Sequence, residues 1–279
     1  MLNMHTRPSQ AVIDLTPEHT DLAHLWLPEI VEIGDRGEML PFAHNPDHPV
    51  VWHQEEDSVL SYDLRLPDLL SLSARLRAEE SGFALDMEIG NLTAEDWGEV
   101  QACVCLQLTL AASFLDLGWE RTYCVLDNNL VRLSEIKKIG KGKPWFLFAM
   151  LTGHEAPLRH RDPHRENAKW QFSEANPDCG FICVTSVDAS RTVWMGWEEV
   201  QYLQSNVMPS YGCIHANPFF GDIGAGGRAR RQGRVGVVEG GAEAAREAYL
   251  NEFGETNAAS LINSRILGIE SSSPLKTSS

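Results

Sequence analysis

No stretch of this chain approaches the ~18 consecutive apolar residues that a membrane helix requires. That argues against a helical membrane span. The opening "MLNMHTRPSQAV" lacks the apolar centre of a secretion signal, so the expected compartment is the cytoplasm. Positive charge is scarce: 23 Lys and Arg stand against 39 Asp and Glu, a net charge of −16. Such a chain repels phosphate backbones, which argues against a nucleic-acid partner. The one basic run, "RARRQGR" at 228–234, sits between "GAGG" and an apolar run and reads as a solvated turn with charged flanks. Cysteine is confined to positions 103, 105, 124, 179, 183 and 213, with no C-x₂-C pair of the kind zinc modules use. The cysteines therefore read as small buried hydrophobes in a reducing compartment. The sequon "NLT" at 91–93 carries no weight without a secretion signal.

What the chain does have is alternation. In "VLSYDLRL" the apolar set is Leu60, Tyr62, Leu64 and Leu66; in "LLSLSARL" it is Leu70, Leu72, Ala74 and Leu76; in "FALDMEI" it is Phe83, Leu85, Met87 and Ile89. Period two over three successive segments predicts half-buried antiparallel strands separated by turns at "LPD" and "EESG". "VQACVCLQLTL" is apolar on both faces and reads as a central strand. "RTYCVLD" and "LVRL" flank "DNN" as a hairpin. "WFLFAML", "GFICVTSV", "TVWMGW" and "GRVGVVEG" bring the count to about ten strands. Helical pattern is limited to "TPEHTDLAHLWLPEI", with Thr16 as N-cap and Pro17 at the first position, and to "GAEAAREAYLNEFG", closed by Gly254. The expected architecture is a mostly β, antiparallel β-sandwich with a short helix near each end. In one domain spanning 1–279, residues 1–45 form an extension with a helix, 50–240 the sandwich, 241–254 a C-terminal helix and 268–279 a disordered tail.

Four places concentrate chemistry. "RHRDPHRE" at 159–166 holds His160, Asp162 and His164, which share one face in an extended backbone. Pro163 keeps Asp162 out of the helical region. Imidazole and carboxylate suit one divalent metal ion; the stretch is also open to a hydrated loop whose arginines pair with Asp162 and Glu166, or to a metal-free catalytic histidine. The second place is "SNVMPSYGCIHANPFFGD", expected as a loop between strands and carrying Asn206, His215 and Asn217. Third, Trp170, Trp194 and Trp197 follow the 159–166 stretch, and Trp194 and Trp197 lie near Glu198, Gln201, Tyr202, Gln204 and Asn206 in sequence. Aromatic faces beside amides and carboxylates suit a sugar ring, although tryptophans also fill sandwich cores. Fourth, Arg121 in "WERTYCV" is placed either to hold the carboxylate of a uronic acid or to make a surface ion pair.

"MEIGNLTAEDW", "LQSN…CIHANPFFGDI" and "GRARRQGRVGVVEG", spanning residues 50 to 240, resemble the galactose-mutarotase-like β-supersandwich, the group of sugar epimerases and polysaccharide-lyase sandwich domains. The resemblance implies acid–base chemistry on a small-molecule or oligosaccharide substrate, with His215 and Glu198 as the matching pair. The rivals are a divalent-metal-dependent sugar enzyme, with His215 as a fourth ligand to the 159–166 stretch, and a non-catalytic carbohydrate-binding module.

Overall fold

The computed structural model describes residues 2–7, 9–43, 45, 47, 49–140, 145–151 and 169–254. His160, Asp162 and His164 lie outside the described residues, as does the tail at 268–279. The strands, in chain order, are β1 Met4–Arg7, β2 Gln10–Asp14, β3 Leu22–Ile33, β4 Glu38–Pro41, β5 His53–Glu56, β6 Val59–Leu66, β7 Leu70–Glu79, β8 Gly82–Asn91, β9 Trp97–Gln107, β10 Thr122–Leu126, β11 Asn129–Arg132, β12 Lys138–Ile139, β13 Phe146–Met150, β14 Trp170–Ser173, β15 Ile182–Thr185, β16 Arg191–Trp197, β17 Val200–Met208, β18 Tyr211–Ile223 and β19 Arg228–Glu239. A helix, α1, covers 242–254.

These strands form two sheets. The first runs β1-β2-β3-β9-β18-β17-β13-β14-β12, with β4 also on β3; the second runs β11-β10-β15-β16-β19-β8-β7-β6-β5. Pairing is antiparallel throughout except between β13 and β14. The inward set of the three alternating segments is the expected one: Leu60, Tyr62, Leu70, Leu72, Ala74, Leu76, Phe83, Leu85, Met87 and Ile89 all join the core between the sheets. The "NLT" turn is fixed by Asn91, whose Oδ1 accepts from Thr93 N at 2.9 Å and whose Nδ2 donates to the carbonyl of Glu95 at 2.7 Å. That bond pattern carries the chain out of β8 and into β9.

Three expectations are corrected. The N-terminal helix does not form: "TPEH" is a turn closed by His19 N on Thr16 O at 3.1 Å, and the rest is β3. Pro28 would have broken the helix interior, whereas β3 gains ladder partners on both sides, β2 and β9. Strands β1 to β4 are thus part of the first sheet and not an extension beside it. "RARRQGR" is not a turn but the first half of β19. Its outward arginines meet acids on β8, with Arg228 on Glu88 at 3.0 Å and Arg230 on Asp86. "SNVMPSYGCIHANPFFGD" is not a loop either; it is the β17–β18 hairpin, registered from Met208–Tyr211 through Gln204–His215.

Candidate functional site

The outer face of the first sheet, away from the sandwich core, is where polar groups gather. On β18, Ile214 and Ala216 point into the core, so Cys213, His215 and Asn217 point outward. The neighbouring strands deliver Gln204 and Asn206 from β17, and Gln101, Cys103 and Cys105 from β9. All are buried, and His215 and Asn217 completely so. Aromatic side chains continue the same face, with Phe148 and Tyr202 packed among Phe146, Trp170 and Phe172 on one side and Trp26 beside Cys105 and Cys213 on the other.

Both ladders of β9 open at this point. Its pairing with β18 runs through Cys213–Gln107 and Ile214–Leu106, then resumes only at Phe219–Gln101. In the gap, the Asn217 side chain accepts from Val104 N at 3.0 Å. On the other edge, β3 pairs Trp26 with Cys105 and next Ile30 with Cys103. Three residues of β3 therefore oppose one of β9, and this bulge carries Glu29 toward the centre. The carbonyl of Glu29 is tied to Phe42 N at 2.9 Å and Ala43 N at 3.1 Å.

His215 uses both ring nitrogens. Nδ1 is 3.4 Å from the Cys103 sulfur, and that thiol donates to Glu29 Oε2 at 3.8 Å. Nε2 is 3.0 Å from the Cys213 sulfur and 3.3 Å from Asn206 Nδ2, while Gln204 Nε2 donates to Asn206 Oδ1 at 2.8 Å. Burial opposes a charged imidazole, but the sulfurs of Cys213 and Cys103 outweigh it and hold His215 above its usual value. Burial likewise opposes a Cys213 thiolate, and the Cys105 thiol, the imidazole and the Tyr211 hydroxyl outweigh that, so Cys213 lies below the usual thiol range. Cys103, with burial dominant, is pushed up to about 11. The half-buried Glu29 connects this cluster to solvent. The arrangement can hand a proton between an imidazole and a carboxylate within one small volume.

Of the residues singled out in the sequence, His215, Gln204, Asn206 and Asn217 come together here, with Trp170 on the same face. Glu198 stands elsewhere, on the turn from β16 to β17. Its Oε2 accepts from Gln232 N at 3.0 Å, and it lines a cleft of about 370 Å³ with Arg77, Glu79, Arg234 and Glu252. Trp194 and Trp197 are three apart on β16 and face opposite ways. Trp197 is in the main core, and Trp194 lies under α1 against Tyr249 and Phe253. Each crosses a directly opposed glycine of β19, Gly236 for Trp194 and Gly233 for Trp197, where a Cβ would run into the indole. Arg121 spends its guanidinium on the carbonyls of Ser113 (3.2 Å), Leu115 (2.7 Å) and Thr185, pinning the 113–116 turn. Glu29 was not singled out in the sequence, and Cys103, Cys105 and Cys213 read there only as small buried hydrophobes. Their signal was the pair of x-spaced doublets, Cys103/Cys105 and Cys213/His215, each on one strand face.

No family model matches the chain, and no curated protein matches it. Among solved structures, a galactose mutarotase-like protein from Lactobacillus casei is 9% identical, with a TM-score of 0.47 over 85% of this chain and 100% of that one. A galactose mutarotase related enzyme from Lactobacillus acidophilus is 8% identical, with a TM-score of 0.45 over 87% and 99%. An aldose epimerase homologue from C. elegans is 6% identical, with a TM-score of 0.40 over 86% and 99%. These neighbours belong to the group that the sequence resembles. Among the described residues, no helix is long and apolar enough to cross a membrane.

Proposed function

We propose that this chain is a carbohydrate-active enzyme of the epimerase type, acting on a small sugar or uronic acid held over His215 and Glu29. One observation carries the reading: a fully buried imidazole at the centre of a sheet face, where the ladders on both sides of β9 open and a carboxylate is brought within reach. His215 donates a proton to a sugar oxygen from Nε2, and Glu29 accepts one; the reverse transfer completes the exchange. Gln204 and Asn206 supply hydrogen bonds for hydroxyls. Among the described residues, Asn217 Nδ2 is buried without a hydrogen-bond partner, a donor that a ligand oxygen would satisfy. The half-buried Phe146 and Trp170 offer apolar surface to the C–H face of a ring.

The test is a panel of aldoses and uronic acids followed by NMR in deuterated buffer. Anomer exchange without deuterium uptake marks chemistry at the anomeric oxygen; deuterium at carbon marks chemistry next to a carbonyl. Glu29→Gln is expected to lower turnover about 10²-fold with the fold intact. Saturable sugar binding without turnover anywhere in the panel would make the protein a binding module and end the enzymatic reading.

A further inference from the structure

Two doublets of ligand-type residues face each other across the open ladder, Cys103 and Cys105 on β9 and Cys213 and His215 on β18. Among the described residues, Cys105 Sγ, Cys213 Sγ and a ring nitrogen of His215 all lie within 4.8 Å of one another. Glu29, Cys103 and His215 form a second such group. The imidazole belongs to both, with one nitrogen for each: Nε2 sits against Cys213 at 3.0 Å and Nδ1 against Cys103 at 3.4 Å. A metal-bound histidine is held by just such an orienting partner on its far nitrogen, commonly a carboxylate. Here the chain from Nδ1 runs through the Cys103 thiol to Glu29.

We infer that Cys105 Sγ, Cys213 Sγ and His215 Nε2 form a binding site for a thiophilic divalent cation of the zinc class, with Cys103 and Glu29 orienting the ring from behind. Two thiolates and an imidazole select such a metal over magnesium or calcium. The two thiolates also balance its charge, so the filled site is close to neutral in a region where all three ligands are buried. Each thiol releases its proton to solvent on coordination. Zinc–sulfur and zinc–nitrogen bonds of about 2.3 and 2.0 Å at a tetrahedral angle set the two ligand atoms about 3.5 Å apart. Cys213 therefore needs to withdraw from Nε2 by only about half an ångström. Asn206 Nδ2, 3.3 Å from Nε2, stands beside the three ligands.

The site shares its face with the proposed sugar reaction. The lone pair on Nε2 serves either a metal or a proton, so zinc shuts the reaction off.

The test uses the full chain with its six cysteines reduced, titrated with Co²⁺ and then displaced with Zn²⁺. The expected result is one Co²⁺ per chain, with thiolate-to-cobalt charge-transfer absorption and the visible bands of a tetrahedral ion. Cys105→Ser is expected to weaken binding at least tenfold and to diminish the charge-transfer band. Glu29→Gln is expected to loosen binding about tenfold while leaving the band in place. Absence of a charge-transfer band in the reduced wild type at millimolar Co²⁺ would overturn the site, as would an undiminished band in a Cys105→Ser/Cys213→Ser double variant. None of these readouts needs a sugar. A cobalt site in a protein that turns over no sugar would keep this inference and end the enzymatic one.

Discussion

Removing the Trp194 indole tests whether that residue is packing or a sugar platform. It is 1% exposed, makes edge-on contacts with Tyr249 at 5.9 Å and Phe253 at 6.5 Å, and covers Gly236 on the neighbouring strand. Truncating a buried tryptophan to alanine costs about 3–5 kcal/mol. Loss of both aromatic contacts under α1 puts the expected value near the middle, about 4 kcal/mol. At roughly 2–4 °C per kcal/mol for a chain of this size, Tm falls by about 8–16 °C. The sharper measurement is a double-mutant cycle with Gly236→Ala. In the wild type the new methyl meets the indole, and overpacking costs about 2 kcal/mol. Without the indole the same methyl has room, and its cost vanishes. The coupling energy from urea melts is then about 2 kcal/mol. Additivity within about 0.5 kcal/mol, or a Trp194→Ala variant of normal stability with altered sugar affinity, would refute the packing argument.

Other outcomes follow from the same geometry. Glu198→Gln is expected to leave turnover unchanged on any substrate that Glu29→Gln impairs; a loss of about 10²-fold at Glu198 would return the acid–base role to that turn. Arg121→Met removes charged hydrogen bonds to three carbonyls and is expected to cost about 3 kcal/mol in denaturant melts. It should not alter the preference between neutral sugars and uronic acids, and a selective loss of uronic acid affinity would contradict that. The Asp188 carboxylate accepts from the Ser186 and Ser190 hydroxyls and from Ser190 N, which lowers it to about 2. Its contribution to stability is therefore present above the ordinary carboxylate range and lost as pH falls through about 2. Carboxyl NMR giving a midpoint near 4 would show that those bonds do not persist in solution.

The sequence by itself determined the strands that are half buried. Along Leu60–Leu66, Leu70–Leu76 and Phe83–Ile89 the alternation of apolar and polar residues leaves only one backbone geometry that separates them. The sequence also held more than was drawn from it. Pro28 inside the expected first helix argued against that helix, and the odd spacing of Trp194 and Trp197 already put them on opposite faces of one strand. Two-residue spacing likewise aligned Cys103 with Cys105, and Cys213 with His215. What only the tertiary structure decided is which faces meet. Cys103 and His215 are 112 positions apart, and they touch because β9 lies between β3 and β18 in the first sheet. The bulge that brings in Glu29 exists because β3 and β9 change register between Trp26 and Ile30. Helix α1, not a ligand, covers Trp194. Local pattern fixes the direction of each side chain; strand order and register, set by packing over the whole chain, fix what stands opposite it.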